Sequence, residues 1–301
     1  IDLFIQFLTL KNILGYEAVK YDINIYRLGG FMDDELKISY LIYNFGALTF
    51  SYYFSKGLSG KKGSVILSFI FLTLITTAIF LTAERSNFIT ILSFNSLIIL
   101  YFSFNNKKIF LLFLITLTIL ITVVTFSENK LSHRMINDVV KKFELIKIDK
   151  NDYFLKKNSH YFAHYSVAYQ IYEKNKFFGT GLKNFRNFCN NTEFDNRIHP
   201  KWKNRKCATH PHNFYFEMLS EIGLVGFILI IGFFTLSFYK FLKLFFKIKN
   251  NFLFFNSFII IVYFIPLLPK GSFFTNWNAM IFWFIFSFIF SNYNKVLKEK
   301  G

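Results

Sequence analysis

Long runs of apolar residues constrain this chain more than any other feature of its sequence. A helix of about 20 apolar residues matches the hydrocarbon core of a bilayer, and it is longer than a soluble core requires. Seven such runs lie at roughly 36–55, 64–83, 87–104, 108–126, 224–246, 252–268 and 274–291. The sequence therefore predicts an all-α, polytopic transmembrane helical bundle.

The lysines between these runs predict the orientation of the helices. The formal net charge is +17, which in a soluble protein would favour a nucleic-acid partner. Here most of the short lysine clusters fall in connectors, so a membrane explains them better and no nucleic-acid partner is predicted. The positive-inside rule lets all seven spans alternate if the following groups are cytoplasmic. They are Lys56, Lys61 and Lys62; Lys107 and Lys108; Lys240, Lys243, Lys247 and Lys249; and Lys295, Lys298 and Lys300.

The long polar segment 127–223 divides the chain into three parts. Residues 1–126 hold an N-terminal segment and four spans, 127–223 form a loop domain of short helices, and 224–301 hold three spans and a cytoplasmic tail. Residues 1–35, 84–86, 127–223 and 269–273 are expected on the non-cytoplasmic side. Helical spacing predicts helices at 132–145 and 161–174. Because the chain starts at Ile1 without a signal-peptide pattern, we expect upstream membrane helices to be missing from it.

The two cysteines of the chain, Cys189 and Cys207, both lie in this loop. Two cysteines in an exported loop predict one disulfide, worth about 3 kcal/mol by the chain-entropy model. Two unpaired buried thiols are the alternative.

Residues 209–226 place two histidines and two carboxylates where the loop meets a span. Pro211 suits the first turn of a helix that Thr209 or His210 can cap. His212 would then lie in that turn, where the helix dipole disfavours the imidazolium form. A neutral imidazole near pH 7 can act as a general base, although an interfacial anchor is the alternative for this His-Pro-His.

Three polar residues follow on one face of the same predicted helix, namely Asn213, Glu217 and Glu221. One of them could orient the imidazole, or all three could form the wet face of an interfacial helix. Gly223 is predicted to end this helix before the span opens at Leu224.

Arg85 lies in a turn, Ala83-Glu-Arg-Ser-Asn87, that is too short to leave the membrane interface. A guanidinium in this place can hold a phosphate through two parallel hydrogen bonds. The alternatives are an arginine that reaches to the lipid headgroups or one that pairs with Glu84.

Two further patterns occur in the loop. Gly179 and Gly181 permit a tight turn after a helix that ends near Lys174. His160 and His164 lie four residues apart on one helical face, a spacing that can bind zinc. No third ligand is evident, so a structural helix face is favoured for this pair.

The segment 210–226 has the pattern H-P-H-N-x-x-x-E-x-L-x-E-x-G-x-x-G and resembles the signature of the O-antigen ligase and polymerase family. Gly179 and Gly181 match the family's f-G-x-G-x-x-x-F element, and a weaker likeness extends from Arg85 to 271–277. Many members carry an arginine near His164, so this histidine is a departure and could take over a polar contact there. Members usually have ten or more spans.

The resemblance implies glycan transfer from undecaprenyl diphosphate to an acceptor hydroxyl at the periplasmic face of a bacterial inner membrane. His212 would be the catalytic base, with His164, His210, Asn213, Glu217 and Glu221 in support. Arg85 and a loop arginine would bind the diphosphate, and among Arg186, Arg197 and Arg205 we favour Arg186. A solvated surface arginine is the alternative for Arg186. No metal or other cofactor is implied.

The acceptor separates the activities within this class. A ligase of lipopolysaccharide biosynthesis would use lipid A-core, a polymerase a growing polysaccharide, and a protein-glycosylating relative a serine or tyrosine hydroxyl. We narrowly prefer the ligase. Outside the class, a transporter or flippase would place ionisable residues at mid-membrane depth, whereas the centres of the predicted spans carry none.

Overall fold

The computed structural model describes residues 1–22, 25–103, 107–126, 135, 160–265 and 268–300. The described chain is mainly helical, with one short antiparallel hairpin of strands β1 (Val19–Asp22) and β2 (Ile25–Arg27). The helices are α1 (Asp2–Thr9), α2 (Ile38–Leu58), α3 (Lys62–Leu81), α4 (Arg85–Ser103), α5 (Lys107–Phe126), α6 (His160–Lys174), α7 (Phe185–Phe188), α8 (Phe214–Ile248), α9 (Asn251–Tyr263) and α10 (Asn276–Lys300). Short 3-10 turns lie at Gly30–Met32, Thr192–Arg197 and Pro200–Arg205.

Each of the seven predicted apolar runs overlaps a helix, namely α2 to α5 and α8 to α10. Within the described residues, three helices are long and apolar enough to cross a membrane: Gly63–Leu81, Phe214–Ile248 and Asn276–Lys298. Helix α9 has only 13 residues and is shorter than the predicted run 252–268. Length and composition thus support a membrane protein and three of the seven spans.

The chain divides into two compact units. Unit 1 comprises Ile1–Phe143, Leu244–Tyr263 and Asn292–Gly301, and unit 2 comprises Glu144–Lys243 and Phe264–Ser291. The predicted helix at 132–145 lies, apart from Met135, outside the described residues. The second predicted loop helix, at 161–174, is α6.

The core of unit 1 is aromatic. Helix α2 packs against α3 and α9, and α4 packs against α3, α5 and α9. The rings of Phe50 and Phe54 stack with centroids 5.0 Å apart, and the ring of Phe94 meets Phe50 edge-on. A Cβ on Gly46 would lie 2.9 Å from the side chain of Ile75, so the small residue lets α2 and α3 approach closely.

Unit 2 contains the loop core. Helix α6 packs against α7 and the two 3-10 turns that follow it, around buried apolar side chains from Val167, Ile171, Phe185, Phe194 and Ile198. Cys189 and Cys207 form a disulfide whose Cα atoms are 5.0 Å apart. The disulfide joins the end of α7 to the segment that leads to His210 and His212.

Candidate active site

Helix α8 is broken at Gly223, whose φ of 67° and ψ of −171° leave the helical range. The 35 residues of α8 would extend about 52 Å as one straight helix, well beyond the roughly 30 Å of a bilayer core. The break divides α8 into a polar segment, 214–222, and an apolar segment, 224–248. The sequence predicts this break from Gly223.

A turn at 176–181 bonds to the backbone groups that the break releases. Four hydrogen bonds join the turn to α8: Thr180 N–H to the Ser220 carbonyl (3.0 Å), Gly181 N–H to the Glu221 carbonyl (2.8 Å), Leu224 N–H to the Lys176 carbonyl (2.7 Å) and Val225 N–H to the Phe177 carbonyl (3.1 Å). Because a helix end without partners is costly when it is buried, these bonds stabilise the break.

Two glycines make this close approach possible. A Cβ on Gly179 would lie 2.5 Å from the carbonyl oxygen of Glu221, and a Cβ on Gly223 would lie 2.4 Å from that of Phe177. Both glycines also have a φ of 67°, in the left-handed region that side chains disfavour. The sequence predicts a turn at Gly179 and Gly181 but not that this turn clasps α8. We call residues 176–181 with Gly223 the glycine clasp.

The helix begins later than the sequence predicts. The first residue of α8 is Phe214, so the prediction that Pro211 and His212 lie in its first turn is wrong. The side-chain oxygen of Asn213 accepts the N–H groups of Tyr215 (3.0 Å) and Phe216 (3.3 Å), and Asn213 rather than Thr209 or His210 thus caps the helix. His212 has a φ of 58°, which reverses the chain just ahead of the cap.

The acidic residues of the motif bind loops. Glu217 accepts the N–H of Phe273 at 2.8 Å, and Glu221 accepts the N–H groups of Lys183 (2.6 Å) and Phe185 (3.3 Å). Both glutamates are 1% exposed and Asn213 is 3% exposed, so the prediction of a wet helix face is wrong. These carboxylates accept hydrogen bonds from backbone N–H groups, and Glu217 also accepts one from the Ser272 side chain, whereas the sequence suggests that one of them could orient an imidazole.

Four histidines come together beside this helix start. Neighbouring ring centroids are 5.9 Å apart for His160 and His164, 5.4 Å for His164 and His212, and 4.2 Å for His210 and His212. The ring of Tyr161 lies 5.5 Å from that of His212. We call these five residues the histidine cluster.

Backbone groups hold the cluster in place. A ring nitrogen of His164 lies 2.8 Å from the carbonyl oxygen of Lys206, and one of His210 lies 3.3 Å from that of Lys270. The N–H of Lys270 also donates to the carbonyl of His212 at 2.9 Å. The cluster is therefore tied both to the loop core and to the chain that precedes α10.

The predicted arginines occupy different surroundings. Arg186 is exposed on α7, and after burial and His164 its charge is a smaller cause of the lowered pKa of His210. Arg197 forms an ion pair with Glu173 at 2.6 Å. Arg85 is half-buried at the start of α4 in unit 1, where the adjacent Glu84 forms an ion pair with Arg27.

A comparison with known families decides what kind of protein carries this arrangement. The family model described as O-antigen ligase matches residues 69–231, which is more than half of the chain. The chain belongs to the O-antigen ligase family. The matched range includes Arg85, the glycine clasp and the histidine cluster. No curated protein matches the chain.

Burial controls the protonation of the histidines in this O-antigen ligase family member. Burial, together with the neighbouring His210, His164 and His160, lowers the pKa of His212 to about 3. Burial also lowers the pKa of His210 to about 4 and that of His164 below its ordinary value. The imidazoles are therefore neutral near pH 7, as the sequence predicts for His212. The cause of the neutral form differs from the predicted one. The sequence argument relies on the helix dipole, whereas His212 lies ahead of the helix and is kept neutral by burial and by the other histidines.

Sequence reasoning missed three residues that complete the cluster. Tyr161 lies in the first turn of α6 with its ring beside that of His212, and no motif marks it. Lys206 is 5% exposed, forms an ion pair with Asp195 and supplies the carbonyl that meets His164. Lys270 lies in a short polar gap between two apolar runs. This position is the sequence feature that could have identified it as a candidate site residue. Burial lowers the pKa of Lys270 to about 7.

The paired histidines that the sequence singles out, His160 and His164, have aromatic neighbours. Across the part of the chain that the structure describes, no three or more His, Cys, Asp or Glu side chains are arranged to hold a metal ion. His160 and His164 instead contact Trp202, Tyr161 and His212 through their rings.

Proposed function

We propose that this protein moves a glycan from undecaprenyl diphosphate to an acceptor hydroxyl, and that it acts as a ligase on lipid A-core. The observation that carries the proposal is the position of His212. It lies among three other histidines and adopts a left-handed backbone conformation that a histidine adopts at a cost. Burial and these neighbours also lower its pKa. Its segment also lies in the range that the family model matches.

The chemistry proposed for His212 is general base catalysis. The imidazole takes the proton of the acceptor hydroxyl while that oxygen attacks the anomeric carbon of the donor sugar. The bond between the anomeric carbon and the diphosphate oxygen breaks, and the diphosphate leaves with the electron pair. The diphosphate is already an activated leaving group, so the proposal requires no nucleotide.

The low pKa of His212 fits a base that becomes effective when the donor binds. Burial and like neighbours disfavour the imidazolium form. A diphosphate beside the cluster would raise the pKa of His212 towards the working pH, where general bases are most efficient. Proton transfer would then be coupled to the presence of donor.

Two arginines are proposed to bind the diphosphate. Arg186 is supported by its contribution, smaller than those of burial and His164, to the lowered pKa of His210. Arg85 is supported by the family resemblance of its segment and by its position at the first residue of α4. Guanidinium groups would offset the charge that builds on the diphosphate as the sugar leaves.

The proposed location is the periplasmic face of a bacterial inner membrane. Support comes from the lysine clusters, which the positive-inside rule assigns to the cytoplasm and which leave 127–223 on the other side. The three apolar helices are consistent with a multi-pass membrane protein.

Substitution of His212 tests this proposal. We expect His212→Gln to lower the rate of glycan transfer by about 10²- to 10⁴-fold, the usual contribution of a general base. Transfer is measured in a strain that lacks its own ligase, from the lipopolysaccharide ladder, and with purified protein, lipid-linked donor and lipid A-core. The control is His199→Gln, an exposed histidine of the same loop.

The result also separates the ligase from the polymerase. Full capped ladders with His212→Gln would rule out its role as base. If the native protein fails to restore attachment in the strain without a ligase but restores polymer length in a strain without its own polymerase, the protein is a polymerase rather than a ligase. Thermal unfolding of both variants shows whether the fold has survived the substitution.

A further inference from the structure

The turn that forms the glycine clasp carries large apolar side chains on its outer surface. Phe177 is 66% exposed, Phe178 is 78% exposed and Leu182, just beyond the turn, is 60% exposed. Full burial of such a side chain is worth roughly 1.5–3 kcal/mol, so three of them together in water would be unfavourable. We call these three residues the apolar tip.

The backbone of the tip is fixed to helix α8. The Phe177 carbonyl accepts the Val225 N–H, and Gly179 packs directly on the backbone of Glu221. The tip therefore holds a defined position relative to the first residues of the apolar segment. A rigid apolar projection from a polar loop is typical of a binding surface.

The tip continues an apolar surface that already faces outward. On the apolar segment of α8, exposure is 37% for Leu224, 39% for Val225, 58% for Ile228 and 68% for Leu229. In a helix long and apolar enough to cross a membrane, such exposed side chains face lipid. Because Phe177 is bonded to Val225, the tip extends this lipid-facing surface at its end.

The start of α10 and two lysines lie beside the apolar tip. The ammonium of Lys183 donates to the side chain of Asn276 at 3.2 Å, and Asn276 is the first residue of the candidate span in α10. Lys176 and Lys183 are both exposed on either side of the tip. Bulky apolar residues flanked by lysines at the end of a span are typical of insertion at the interface of an anionic membrane.

We propose that the apolar tip inserts into the lipid leaflet, with Lys176 and Lys183 against anionic headgroups. The clasp then sets the depth of the polar segment of α8, and through it the height of the histidine cluster above the acyl chains. The occupant is the phospholipid of the membrane itself. This insertion concerns the surface of the molecule and does not depend on which transfer reaction the cluster performs.

Spin labelling of the full-length chain in lipid nanodiscs tests the insertion. The native cysteines are joined in the disulfide, so an introduced cysteine is the reactive thiol. Labels are placed through Phe178→Cys at the tip, Ile228→Cys on the lipid-facing helix and Lys201→Cys at an exposed loop position. Relaxation enhancement by oxygen, which partitions into lipid, is compared with that by a water-soluble nickel complex.

The discs contain anionic phospholipid and no polyprenyl lipid. We expect oxygen to exceed the nickel complex at 178 and 228, with the reverse order at 201. An aqueous signal at 178 would overturn the proposal. So would a signal that becomes lipid-like only after polyprenyl diphosphate is added, since the tip would then bind the lipid chain of a donor. Transfer activity does not enter this readout, so its failure is distinct from failure of the proposed function.

The charge of the lipid tests the role of the lysines. We expect the ratio of oxygen to nickel accessibility at 178 to fall when anionic lipid is replaced by zwitterionic lipid. Lys176→Gln should weaken this dependence. An unchanged ratio in the two lipids would remove the headgroup part of the proposal.

Discussion

The two segments of α8 reverse the usual relation between polarity and burial. In the polar segment, Glu217, Ser220 and Glu221 are buried, each with hydrogen-bond partners. In the apolar segment, Ile228, Leu229 and Leu236 are exposed. A soluble helix would bury the second set and expose the first. Their surroundings explain the difference, because lipid solvates apolar side chains while buried polar atoms require hydrogen-bond partners.

The comparison also separates structural from chemical roles within the motif. The carboxylates of the polar segment hold two loops, one near Phe273 and one at the start of α7. The imidazoles of the histidine cluster contact one another and backbone carbonyls. The glutamates therefore hold the loops of the site, and the proposed function assigns the chemistry to the histidines.

The largest effect is expected when the boundary between the segments is altered. Gly223→Ala places a Cβ 2.4 Å from the carbonyl of Phe177 at a φ of 67°. With a ψ of −171°, this backbone conformation is one that essentially only glycine adopts; it costs another residue about 1–3 kcal/mol, and the backbone overlap adds to it. We expect a loss of roughly 3 kcal/mol or more in the free energy of unfolding, measured by denaturant unfolding in detergent.

Gly232→Ala is the matched control, because Gly232 lies in the apolar segment with no neighbouring atom within 4 Å of a new Cβ. Alanine favours helix over glycine by up to about 1 kcal/mol, so this variant should be as stable as the native chain or slightly more stable. Equal destabilisation of the two variants would show that the clasp is not what fixes the break.

Local signals in the sequence predict the helices and the break but not the contacts of the site. An apolar helix depends on residues that are adjacent in the sequence, and the break depends on the glycine at 223. Hydropathy and the backbone preference of glycine are therefore enough to predict where the helices and the break lie. The sequence predicts too early a start for α8, because Pro211 favours the first turn of a helix. In the structure the positive φ of His212 reverses the chain, and the helix begins at Phe214. The partners of Glu221 lie 38 and 36 residues away along the chain, and no local pattern reveals them.

The histidine cluster predicts a second, smaller effect that depends on pH. His210 and His212 have folded-state pKa values of about 4 and about 3, below the ordinary 6.5. The unfolded chain therefore binds protons that the folded chain does not bind. The contribution of these two histidines to stability should be complete above pH 6.5 and should fall as the pH decreases from 6.5 towards 4 and then 3. The slope is at most about 1.4 kcal/mol per pH unit for each histidine.

Unfolding at pH 7.5 and pH 5 measures this effect. His212→Gln should reduce the loss of stability between the two pH values by roughly 2 kcal/mol, the share of one buried histidine. The exposed His199→Gln should leave the loss unchanged. If the native chain and His212→Gln respond equally to acid, the histidine is not held neutral by burial.

The smallest expected change in stability tests whether Glu221 holds its loop through hydrogen bonds. Glu221→Gln keeps the shape of the side chain but replaces one acceptor oxygen with a donor, so Lys183 or Phe185 keeps an N–H without a partner. An unsatisfied buried group costs about 1–3 kcal/mol, and we expect a loss in the free energy of unfolding near the lower end because one of the two bonds is long. Ser220→Ala is the control, since its hydroxyl bonds carbonyls within the same helix and its removal should cost well under 1 kcal/mol.

The same variant also has an expected kinetic effect. If Glu221 holds α7 and through it Arg186, Glu221→Gln should raise the KM for the lipid-linked donor more than it lowers kcat. A change in kcat alone would instead place Glu221 with the imidazoles, and the division of roles within the polar segment would fail.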